Sequence, residues 1–166
     1  MKRWEALTVH LSTLLVGGTG LVYAWMRYVL PPADEWSVIH HPLQPATQHL
    51  HVLAAPLLVF AVGLIWSEHV WGHFRRGVRS RRVSGIALLA SLVPMAASGY
   101  LLQTAADETW RGVWVAVHVT TSLLFLAGYV GHALAALRSW LRRRALAAAG
   151  DADEPATAAA QSAYDH

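Results

Sequence analysis

The sequence predicts an all-α protein, a bundle of four transmembrane helices with both termini in the cytoplasm. Three observations carry this. Of 166 residues, 55% are hydrophobic and only 14% charged, a balance beyond that of ordinary soluble domains. The apolar residues gather into four stretches, each long enough as a helix to cross a hydrocarbon core of about 30 Å. Arginines and lysines crowd at alternate ends of those stretches, the asymmetry that orients membrane helices.

The first span covers residues 6–30 and stops at Pro31 and Pro32, which cannot continue a helix. Its length, its glycines and the lack of a small-residue cleavage site distinguish it from a signal peptide. A polar, proline-containing segment to Gln48 follows, long enough to fold over one end of the bundle or to dock a partner. The second span, 49–73, and the third, 83–103, flank the basic turn FRRGVRSRR. Pro94 is expected to bend the third span. The fourth, 112–137, is followed by Arg138, Arg142, Arg143 and Arg144. One domain, residues 1–145, therefore holds all four spans, and residues 146–166 read as a disordered cytoplasmic tail.

The net charge of +3 and pI near 9.7 do not indicate nucleic acid, because every basic run has a topological explanation. Lys2, Arg3, the turn after the second span and the arginines after the fourth all fall on one side, placed in the cytoplasm by the positive-inside rule. Trp4, Trp66, Trp71 and Trp140 fall at that boundary, and Trp25, Trp110 and Trp114 at the other. Cysteine is absent, which excludes disulfides, iron–sulfur clusters and covalent haem attachment.

Ionisable side chains within membrane spans are costly and mark functional sites. His118 and His132 lie fourteen residues apart on the fourth span, a step of about 21 Å that returns to within about 40° of the same face. Thr121, Ser122, Phe125 and Gly128 lie between them on that face. Counting from the charged boundaries places His10 level with His132, and His51 level with His118. Two imidazoles at each of two depths suit two bis-histidine haems, whereas zinc needs three or four ligands converging on one point. Gly17, two turns from His10, and Ala55, one turn from His51, leave room for flat macrocycles.

His69 reaches the same depth as His10 and is the rival for the cytoplasmic-side site. Two considerations favour His10. An eighteen-residue step from His51 to His69 matches fourteen poorly, and Glu68 beside His69 suggests a protonatable pair for quinone exchange. His73, four residues after His69, is the candidate for a helix-face metal clamp, although SEHVWGHF is not a His-Glu-x-x-His motif. Arg27 and Arg111, the basic residues near the opposite side, are candidates for haem propionates, with snorkelling to lipid phosphates as the alternative.

Over residues 4–144 this pattern resembles the small membrane-integral b-type cytochromes that serve as quinone-linked subunits of respiratory formate dehydrogenases and nickel–iron hydrogenases. His10, Leu50-His51, His118 and Gly131-His132 fall on the ligand positions of that family. Thr19-Gly20 and Ser98-Gly99-Tyr100 resemble its hydroxyl-Gly steps, with Gly20 about one turn closer to His10 than the family pattern has it. The resemblance implies two non-covalent b haems in a bacterial cytoplasmic membrane, carrying electrons between the quinone pool and a redox subunit. That subunit would be a catalytic dehydrogenase or reductase, an iron–sulfur protein or a c-type cytochrome. Substrate chemistry would be limited to a shared quinone site. Two other classes stand beside this reading: a mono-haem or haem-free binding protein, and a metal or proton transporter. Against the transporter, Leu58, Val59 and residues 123–126 keep the middle of the spans dry.

Overall fold

The computed structural model describes residues 2–32, 34–75 and 82–164, with side chains placed except at residue 73 and beyond residue 147. Four long helices account for it, and no strand occurs among the described residues. Helix α1 is Arg3–Tyr28. Helix α2 is Gln44–Ile65, continued by a π-helical turn, Trp66–Trp71, and a last turn, Gly72–Arg75. Helix α3 is Arg82–Thr104 and α4 is Glu108–Tyr164. Each contains a stretch long and apolar enough to cross a membrane, so the chain is a multi-pass membrane protein.

The ends follow local chemistry. The Lys2 backbone N–H donates to Glu5 Oε2 at 2.7 Å, closing the first turn of α1. Pro45 sits in the first turn of α2, where its missing N–H costs nothing, so this helix starts five residues before the expected boundary. Asp107 Oδ1 accepts the Trp110 N–H at 3.0 Å and opens α4 four residues early. Helix α3 runs through Pro94.

The last helix continues to Tyr164, past residue 146, where the sequence reading begins the tail. Ala145, Ala147, Ala148 and Ala149 favour helix just past the basic end, since alanine is the strongest helix former.

Close backbone packing joins α1 to α2 and α3 to α4, so the bundle is two hairpins with sparse backbone contact between them. Side chains meet across that space. Val16, Ala54, Leu58, Leu92, Met95 and Phe125 form the buried cluster, with every helix contributing. Outward, large hydrophobics such as Leu14, Leu53 and Leu124 are exposed, as lipid-facing positions require. The end carrying Arg3, Arg82 and Arg142 is called the basic end below, and the other the loop end.

Candidate haem-binding sites between the hairpins

Near the loop end, His51 of α2 and His118 of α4 face each other with ring centroids 6.2 Å apart and planes at 78°. Near the basic end, His69 and His132 do the same, at 6.2 Å and 84°. These separations suit one metal ion between each pair. Metal–imidazole bonds of about 2 Å, with each ring centre set back about 1 Å further, put collinear ligands about 6 Å apart, centroid to centroid.

The second nitrogen of each loop-end ring is already engaged. His51 Nδ1 donates to the Val16 carbonyl at 3.0 Å, with the Thr19 hydroxyl at 3.2 Å. His118 Nδ1 donates to the Met95 carbonyl at 2.9 Å, with the Ser98 hydroxyl at 3.4 Å. A carbonyl only accepts, so the proton sits on Nδ1 and the Nε2 lone pair is left for a metal. Thr19 and Ser98 also back-bond to their own helix, Thr19 to Leu15 and Val16 and Ser98 to Pro94 and Met95.

Glycine completes the arrangement on both sides. A Cβ on Gly20 would come within 2.9 Å of His51 Cε1, and one on Gly99 within 3.1 Å of His118 Cε1. Each hydroxyl-Gly step thus supplies a polar contact for the ring and, at the next residue, the space it occupies. The two hairpins use the same device, α1 holding the histidine of α2 and α3 holding that of α4. The basic end repeats part of it, with Ser84 Oγ 2.9 Å from His132 Nδ1.

A cavity of about 390 Å³ opens beside His51 and His118, within the range of small-molecule sites, about 300–1,000 Å³. Gly17, Ala55, Ser122 and Phe125 line it, as do Tyr23, Gln48 and Arg111 toward the loop end. A second cavity of about 250 Å³ adjoins these last three residues. The residues therefore fit a flat, anionic macrocycle: two opposed nitrogen donors, small side chains along the walls and a cation at the mouth.

The structure separates the other candidates. His10 does not meet His132; it is exposed, and its Nδ1 is hydrogen-bonded to the Tyr129 hydroxyl. The expected pairing of His10 with His132 is replaced by His69 with His132. His69 lies on the π-helical turn Trp66–Trp71, a wide turn that rises less per residue than α-helix. Glu68, on the same turn, is exposed, and the His69 ring faces His132 across the bundle. The His73 side chain lies outside the described residues.

Arg27 is engaged with the connection between α1 and α2. Its guanidinium donates to the Val38 carbonyl at 3.1 Å and to His40 Nε2 at 3.3 Å, while His40 Nδ1 donates to the Leu30 carbonyl at 2.8 Å. It lines the smaller cavity, whereas Arg111 lines both. No three His, Asp or Glu side chains converge as a metal site among the described residues.

No family model, curated protein or solved structure matches the chain. Sequence reasoning passed over Ser84 and Tyr129. Ser84-Gly85 had a readable signal, because it precedes Ser98-Gly99 by fourteen residues, the same step that separates His118 from His132.

Proposed function

We propose that this protein is a membrane-embedded b-type cytochrome that passes electrons between a partner redox subunit and the quinone pool. Two bis-histidine haems would be held by His51 with His118 and by His69 with His132. The observation that carries the reading is the pair of facing imidazoles repeated at two depths between the same two helices, α2 and α4. Haem iron supplies reversible one-electron chemistry when bound.

The chain's own residues supply the rest. Val16, Met95, Thr19, Ser98 and Ser84 fix ring orientation, which sets ligand basicity. The core of Leu58, Leu92, Met95 and Phe125 excludes water between the levels. Arg111, with Tyr23 and Gln48, forms the polar mouth for propionates. The two levels lie about 21 Å apart along α4, so together they span much of the membrane's apolar thickness. A bacterial cytoplasmic membrane and a dehydrogenase-type partner belong to this proposal through the resemblance.

Optical and paramagnetic spectra test it. The purified oxidised protein is expected to show low-spin haem with strongly anisotropic ferric signals, because both imidazole pairs have nearly perpendicular planes. A quinol analogue should reduce it. Absence of haem absorbance removes the whole reading, and haem that exchanges no electrons with quinol or quinone removes the quinone half.

A further inference from the structure

We infer that the smaller loop-end cavity, beside the connection between α1 and α2, is a binding site for a phosphate group of the kind an anionic phospholipid presents. The site is separate from both imidazole pairs and does not depend on the cytochrome reading. Its volume of about 250 Å³ lies below the range of ordinary small-molecule sites, roughly 300–1,000 Å³. A single headgroup suits that scale.

Charge sets the ligand class. Arg27 of α1 and Arg111 of α4 both line the cavity, joined by Tyr23, Gln44 and Gln48, and no carboxylate lies among the described residues of its wall. Two cations around one space repel each other unless an anion enters it. Their own partners supply none. Arg27 is held by two neutral acceptors, the Val38 carbonyl and His40 Nε2, while the Arg111 side chain makes no hydrogen bond or ion pair among the described residues. Guanidinium forks match the oxygens of a phosphate, and such charge-assisted bonds are about twice as strong as neutral ones. Gln44, which is buried, is fixed by accepting the His40 backbone N–H on Oε1 at 2.9 Å. Its Nε2, 3.5 Å from the Val38 carbonyl, has a second N–H to offer.

Position points to lipid as the source. Trp25 lies two residues before Arg27 and Trp110 directly before Arg111, both exposed, and tryptophans so placed mark the headgroup level of a membrane. Val38 and Ile39, also in the cavity wall, are 70% and 44% exposed, so apolar surface continues outward from the polar chamber. A phospholipid satisfies both parts. Arg111 lines the larger cavity as well, where a haem propionate can reach it, but of the two cavities Arg27 lines only the smaller.

Photolabelling tests this on the full-length protein in maltoside micelles, which contain no phosphate. The probe is phosphatidylglycerol with a diazirine in its headgroup, set against a diacylglycerol carrying the same diazirine and no phosphate. Label from the phospholipid is expected on the peptides containing residues 38–48 and Arg111. It should fall at least tenfold in Arg27→Gln and in Gln44→Glu, the second of which keeps the bond to His40 while placing a carboxylate in the cavity. Label on residues 138–144, at the basic end, serves as the internal reference. Excess inorganic phosphate separates the two sources: displacement of the label assigns the site to free phosphate, and resistance assigns it to the lipid headgroup. Loop-end label equal for the two probes, or unchanged in either variant, overturns the site. So does loop-end label that appears only after haem is removed, which would give both arginines to haem propionates.

Discussion

Gly20 shows how narrowly the loop-end pair is set. The His51 ring occupies the space where a Cβ on Gly20 would stand, 2.9 Å from Cε1, and that ring is held by the Val16 carbonyl on the same helix. Moving it breaks the hydrogen bond that keeps Nε2 available. Overpacking of this kind costs about 1–3 kcal/mol. Gly20→Ala is therefore expected to lower haem content to about one per chain, with the remaining haem spectroscopically at the His69/His132 level. Gly99→Ala, with a contact of 3.1 Å to His118, should weaken binding less. Haem quantification on both purified variants checks the order of the two effects.

At the scale of elements, the basic-end pair draws one histidine from a π-helical turn. Such turns occur as single wide turns inside α-helices, frequently at functional sites, and this one contains His69. A wide turn absorbs one extra residue without changing the face presented beyond it. Deleting Ser67 is thus expected to return the segment to α-helix and keep His69 opposite His132, with both haems retained. Inserting an alanine after Ser67 rotates His69 by about 100° and should lose the basic-end haem alone. Haem content and circular dichroism of the two variants check this, and loss of haem on deletion would contradict it.

The same turn marks the limit of what the sequence discloses. Hydropathy alone located all four spans, because lipid requires long apolar helices, while boundaries slipped where Pro45 and Asp107 start helices early and where the last helix runs on past its apolar stretch. His51 and His118 were paired correctly in space because both lie on regular helix near a polar boundary. His69 was undervalued because its eighteen-residue step from His51 was set against fourteen and Glu68 beside it suggested a protonatable pair, while nothing in WSEHVW announces a wider turn. The engagement of Arg27 with Val38 and His40 was not legible, because it depends on how the connecting segment folds back, which is a tertiary matter.

On the scale of the whole molecule, two hairpins pack closely within themselves and sparsely against each other. Both imidazole pairs bridge the gap, each taking one histidine from each hairpin. In this account two haems complete the contact between the hairpins and place redox centres near both faces of the membrane, with the basic end in the cytoplasm by charge asymmetry. The most direct test is the ratio of haem to polypeptide in the purified parent, His69→Ala and His10→Ala. The account predicts two, one and two. A parent holding fewer than two haems, or a haem lost with His10 and kept with His69, would contradict it.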